Sequence, residues 1–323
     1  MNPRPRRFLL TLVALTAALL APPVTLAAPP PGVPDGWTDG FVYANGIRIH
    51  YYHAKPAPGK PAMVMIHGVT DIGLSWTTLT WKLQDAYDIY MVDARGHGLT
   101  DPFTPKDDGN TMVKDVVEFV RVMKLEKPIL MGHSMGGATV IRVGAEYPDL
   151  AKAIIVLDAG ISVPRPAAAA APAAAPPAAA PRPANPASLP FEMSGTPEVL
   201  AAQNNYKFED LVAKGARQNP KWSLVDNQYW ALSKKQYHGA YDAESFRVVM
   251  QGGMQTTDAL AKIRVPMIIL KADASPEQRK AHLEAAKVMQ KGKLVHIDGA
   301  GHNLHHDNLP RTVEVLNEFL SKL

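Results

Sequence analysis

The 323-residue chain predicts an α/β fold: a mostly parallel sheet flanked by helices, with a helical cap-like insertion. Three observations predict it. Short apolar runs alternate with stretches that carry apolar residues at helical spacing, the pattern of a parallel sheet with helices on both faces. Residues able to do chemistry, His67, Asp93, Ser134, Asp158, Asp273 and His302, directly follow those runs, which places them at the carboxyl ends of strands, where such sheets gather function. A stretch at 191–257 that includes Trp222, Tyr229, Trp230 and Tyr237 then interrupts the alternation between two strands.

Taken in order, 41–44 and 47–53 flank Asn45-Gly46, a hairpin turn pair. Runs at 62–66, 88–92, 128–131, 153–157, 266–270 and 294–297 predict six further strands. Helical patterns cover 75–83, 112–123, 135–146, 276–289 and 309–320. The third opens on glycines and stops before Pro148. The fourth opens at Pro276, with Glu277 placed to cap it.

Hydrophobic residues make up 46% of the chain, enough for a large core, and no long block of like charge occurs. Arg4, Arg6 and Arg7 supply three of the four net positive charges, so the charge is a poor argument for nucleic-acid binding. These arginines, the apolar run at 8–21 and the small residues Thr25, Ala27 and Ala28 read as a secretory signal over 1–28. The run is shorter than the ~20 residues of a membrane-spanning helix. The expectation is therefore an exported protein, periplasmic or secreted, with no membrane span once the signal is removed, the alternative being that the segment is retained as a membrane anchor. Core sequence at 29–163 and 258–323 brackets an Ala/Pro tract at 164–190, read as a flexible surface insertion, and the helical segment at 191–257. The absence of cysteine excludes a thiol nucleophile, a thiolate zinc site and disulfides.

The segment that carries chemistry is Ile129-Leu-Met-Gly-His-Ser-Met-Gly-Gly137. It sets Gly132-x-Ser134-x-Gly136 at a strand-to-helix junction. A sharp turn there lifts the serine hydroxyl above the sheet and requires glycine on either side, and the following helix offers backbone N–H groups to developing negative charge. With His67-Gly68, Asp93-x-Arg95-Gly96-His97-Gly98, Asp273 and Gly301-His302 in this order, the chain resembles the α/β-hydrolase superfamily from about Phe41 to Leu323.

The resemblance implies a Ser–acid–His triad in chain order. Ser134 is the expected nucleophile and His302 the base, on the turn Gly299-Ala-Gly-His302. Asp273, the first carboxylate after the 266–270 strand, is the expected acid, although Lys271-Ala272-Asp273 lacks the glycine that related sequences often place three residues before it. Asp158 is the alternative, since some relatives carry the acid one strand earlier. The backbone N–H groups of Val69 and Met135 are the expected oxyanion hole. Asp93, His67, His97 and His133 are expected to be structural, and His305 and His306 to be surface or capping residues.

A carboxylic ester is the expected substrate, with an apolar acyl or alcohol group suggested by the aromatic insertion. Lactone, thioester, amide and carbon–carbon hydrolysis, perhydrolysis and acyl transfer to an alcohol use the same triad. Relatives that open epoxides or haloalkanes carry Asp where Ser134 stands. The reading from another class is a ligand-binding protein on a hydrolase scaffold. No metal or organic cofactor is implied, and the partner is a small ester-like molecule, with no nucleic acid. No oligomeric state is implied.

Overall fold

The computed structural model describes residues 30–161, 205–239 and 243–323. The expected signal at 1–28, the Ala/Pro tract and part of the 191–257 segment lie outside them. Eight strands form one sheet: β1 (Thr38–Ala44), β2 (Ile47–Ala54), β3 (Ala62–Ile66), β4 (Asp88–Val92), β5 (Ile129–His133), β6 (Ala153–Leu157), β7 (Met267–Lys271) and β8 (Gly292–His296). Their spatial order is β1-β2-β4-β3-β5-β6-β7-β8. The β1–β2 hairpin turns at Asn45 and Gly46, both with positive φ, and β2 pairs antiparallel with β4. Every other pair is parallel.

The helices are α1 (Thr77–Leu83), α2 (Thr111–Val122), α3 (Met135–Glu146), α4 (Phe208–Gln218), α5 (Leu224–Gln236), α6 (Ala243–Gln251), α7 (Thr256–Leu260), α8 (Pro276–Ala286), α9 (Leu304–Asp307) and α10 (Leu309–Leu320). Alternation within each strand splits the core into two layers, because successive side chains point to opposite faces. Met63, Met65, Met91 and Met131 meet Leu79 and Leu83 of α1 and Leu316 and Phe319 of α10. Val64, Ile66, Val92 and Leu130 meet Val116 and Val117 of α2 and Val140 and Ile141 of α3.

The differences from expectation have local causes. Strand β8 starts at Gly292, ahead of the apolar run, because an edge strand is held by its backbone ladder to Met267–Lys271 and its side chains remain partly exposed. Helix α8 is capped by Ser275, whose side chain accepts from the Gln278 amide, so Glu277 sits in the first turn and is not the cap.

Helices α4 and α5 pack on each other above the sheet. Helix α5 is pinned by Asp226, which accepts from Thr78 Oγ1 at 2.8 Å and lies 3.0 Å from His306 Nδ1. Trp222 Nε1 donates to Asp307, and Tyr229 Oη donates to Gly32 O. These contacts bury His305 and His306, contrary to the expected surface role. His305 stacks near Trp76, with ring centroids 4.8 Å apart. Trp222 and Tyr229 of the aromatic insertion thus help seat α5, while Trp230 lines the cleft described below.

Candidate active site

Ser134 occupies the junction between β5 and α3 with φ 49° and ψ −113°. A non-glycine residue held in such a backbone conformation costs about 1–3 kcal/mol and needs the surroundings to enforce it. Here the crossing is too tight for side chains. A Cβ on Gly136 would lie 2.1 Å from Ile66 O, and one on Gly132 would lie 2.2 Å from Gly136 O. The Ser134 amide donates to Leu157 O at 2.9 Å, which ties the turn to the end of β6.

His302 lies on the turn after β8, on the surface side of the sheet's carboxyl edge. Its Nδ1 is 2.7 Å from Asp158 Oδ2. Its carbonyl accepts from His133 Nε2 at 3.0 Å. Burial and the neighbouring His302 hold His133 down to a pKa of about 4, so it is a neutral strut near pH 7. His67 is also neutral and satisfied: Nδ1 donates to Gly68 O and Nε2 accepts from the Ala94 amide. Asp93 accepts from the Gly73 and Leu99 amides and lies 2.8 Å from His50 Nδ1, a structural role.

The two candidate acids separate clearly. Asp158, with φ 47°, is mostly buried, and its second oxygen lies 2.6 Å from Lys271 Nζ and accepts from the Ala272 amide. Burial alone would raise the Asp158 carboxyl, but the hydrogen bonds from His302 and Lys271 outweigh it and hold the group well below the usual carboxylate range. Asp273 does not face His302. Its oxygens accept from Arg279, the Ala274 amide and the Gly299 amide, and its side chain is 43% exposed. The expectation that Asp273 partners His302 is therefore corrected. Asp273 braces the turn that carries His302, and Asp158, one strand nearer to Ser134, reaches the imidazole.

Ser134, His302, His133, Val69, Thr70, Asp71, Trp230 and Lys234 are among the residues lining one cleft of about 180 Å³. Val69 also packs against the small apolar cluster that holds Met135. The sequence singled out neither Lys271 nor Lys234. Lys271 had a readable signal, a lysine closing a strand that is otherwise all apolar. Lys234 had none, since it stands beside Lys235 at the end of α5 and nothing in the sequence tells the two apart. Among the described residues no cluster of three or more metal-ligating side chains occurs, and no helix is long and apolar enough to cross a membrane.

Residues 63–315 match the model of the alpha/beta hydrolase family. The chain is 24% identical over 285 residues to N-formylmaleamate deformylase of Pseudomonas putida, spanning 87% of this chain and 96% of the relative. It is 22% identical over 303 residues to epoxide hydrolase 1 of Caenorhabditis elegans, spanning 90% and 72%. The crystal structure of E-2-(acetamidomethylene)succinate hydrolase superposes with a TM-score of 0.65 at 18% identity, over 88% of this chain and 99% of that one. The family match and the eight-stranded sheet with its serine elbow lead to one conclusion: this chain belongs to the alpha/beta hydrolase family.

Proposed function

We propose that the protein is a serine hydrolase that cleaves a carboxylic ester through an acyl-enzyme on Ser134. The observation that carries this reading is the strained Ser134 elbow sharing one cleft with His302, whose Nδ1 meets Asp158. His302 Nε2 takes the Ser134 proton as Oγ attacks the carbonyl. Asp158 fixes the imidazole with Nδ1 as the donor and stabilises its charged form. The Val69 and Met135 amides bind the oxyanion. The alcohol leaves with the proton from His302, and water, deprotonated in turn by His302, releases the acid. Lys271 keeps Asp158 ionised and oriented.

A cleft of about 180 Å³ with Thr70, Asp71 and Lys234 beside Trp230 favours a short and partly polar acyl group over a long apolar one. A serine nucleophile also argues against epoxide opening: attack on an epoxide carbon would leave a serine ether, with no carbonyl for water to attack. An amide such as an N-formyl group is the second reading, favoured by the polar cleft and by the full-length resemblance to the deformylase.

Purified protein assayed on p-nitrophenyl esters from acetate to palmitate, and on N-formyl amides, tests both readings. Hydrolysis of the short esters, covalent labelling by a fluorophosphonate, and loss of both in Ser134→Ala are expected. A folded parent that neither turns over nor labels would overturn the serine-hydrolase reading. Export is part of the proposal and rests on the basic and apolar start at 1–28. N-terminal sequencing of protein recovered from cell fractions and medium should find a start after Ala27 or Ala28. Intact Met1 in the cytosolic fraction would refute it.

A further inference from the structure

Three non-glycine residues at the site have left-handed backbones: Ser134, Asp158 and Thr70, the last with φ 66°. Each needs something to hold it. Ser134 has the flanking glycines, and Asp158 has Lys271. Thr70 is β-branched, which makes this conformation costly. It directly follows Val69, whose amide belongs to the proposed oxyanion hole.

The side chain that meets Thr70 comes from 164 residues away, on α5. Lys234 Nζ donates to Thr70 O at 2.9 Å and to Thr70 Oγ1 at 3.0 Å, and it lies 3.6 Å from Asp71 Oδ1. It also sits 5.2 Å from the centroid of the Trp230 ring. The residue is only 3% exposed. Burying an ammonium is expensive unless it is closely paired. This one lies beside Asp71 and donates to both the backbone carbonyl and the hydroxyl of the strained Thr70.

We propose that Lys234 is a positioning residue that locks the Val69–Thr70–Asp71 loop, so that the α5 helix sets the geometry of one oxyanion donor. The proposal rests on the serine-hydrolase reading above. Reactivity at Ser134 then requires α5 to be seated, which couples the helical insertion to the chemistry of the core. The competing role, an anchor for a substrate carboxylate, fits less well. The Lys234–Asp71 pair is neutral overall, and the ammonium is aimed at Thr70.

The test compares Lys234→Met, Lys234→Arg, Thr70→Val and the Lys234→Met/Thr70→Val double variant with the parent. The readouts are kcat and KM on p-nitrophenyl acetate, the rate of fluorophosphonate labelling, and inhibition by a trifluoromethyl ketone, which binds as an oxyanion. Losing a whole oxyanion donor costs about 100- to 1000-fold in kcat. A displaced one should cost less. Lys234→Met should lower kcat and the labelling rate about 10- to 100-fold, weaken the ketone in proportion, and leave KM within about threefold. Thr70→Val should lose several-fold, and the double variant should resemble Lys234→Met alone, because the Oγ1 contact that Thr70→Val removes is one of those already lost in Lys234→Met. Lys234→Arg should recover part of the loss. If Lys234→Met fails to fold, Thr70→Val still reports: a folded Thr70→Val with parental kcat and ketone affinity would overturn the proposal. Unchanged kcat in folded Lys234→Met, or a rise in KM confined to an anionic hemisuccinate ester, would also overturn it while leaving the serine-hydrolase reading intact. A parent that neither turns over nor labels would overturn both.

Discussion

The ends of β6 and β7 are neighbours in one sheet, and an aspartate follows each, yet the two carboxylates have opposite fates. Asp158 comes immediately after its strand, with a left-handed backbone that turns its side chain into the site, where it is mostly buried between His302 and Lys271. Asp273 comes two residues after its strand, lies at the rim, and spends its oxygens on Arg279 and on the amides of Ala274 and Gly299. A carboxylate in a dry site acts strongly on the one imidazole it touches. A carboxylate at the rim is screened and holds a turn. The difference between a carboxylate that meets His302 and one that braces a turn is thus a matter of a few residues of loop and of which neighbour supplies the cation.

Substitution tests that contrast directly. Asp158→Asn should lower kcat by about 1000- to 10,000-fold with the fold preserved, because the amide favours the wrong imidazole tautomer. Steady-state kinetics with circular dichroism checks it. Retention of activity would hand the acid role back to another carboxylate.

Lys271→Met should cost roughly tenfold in kcat, because Asp158 loses one of the hydrogen bonds and the neighbouring charge that hold its carboxyl low and oriented. Steady-state kinetics checks it, and an unchanged kcat would mean that Lys271 is packing alone.

Asp273→Asn should cost less than about tenfold in kcat and lower the melting temperature by about 2–4 °C, through loosening of the Gly299 turn. A loss as large as that of Asp158→Asn would erase the comparison.

The smallest effect near neutral pH concerns the dry side of the site. His133, with its pKa lowered to about 4, and His67, His97 and His305, lowered in the same direction by burial, are folded as neutral rings. Between the ordinary value near 6.5 and the lowered one, the unfolded chain binds more protons than the folded one. Stability is therefore whole above about pH 6.5 and falls as the pH drops toward 4, with His133 alone worth roughly 3 kcal/mol at the lower end. Thermal melts at pH 7, 5.5 and 4.5 should show this decline. A His133→Asn variant should show a shallower slope than the parent.

The fold was largely legible because its signals are local. Five-residue apolar strands, the Asn45-Gly46 turn and the glycines around Ser134 each carry their meaning in adjacent residues. The site was legible where it depends on such signals, as in the position of Ser134 at a strand-to-helix junction. It was not legible where two distant segments must meet. The burial of His305 and His306 depends on Asp226 and Trp222 of the helical insertion, which no spacing within Gly299–Asp307 reveals.

What the sequence by itself determined was the order of strands and helices, the elbow and the family resemblance, all properties of the hydrophobic period and of glycine sterics over a few residues. Only the tertiary structure decided that Asp158 and not Asp273 meets His302, and that Lys271 and Lys234 stand behind Asp158 and Thr70. Those contacts join residues 113 (271 − 158) to 164 positions apart. The partner of a buried charge is chosen by which side chains share a low-dielectric space once the sheet has closed, and nothing local in the chain encodes that choice.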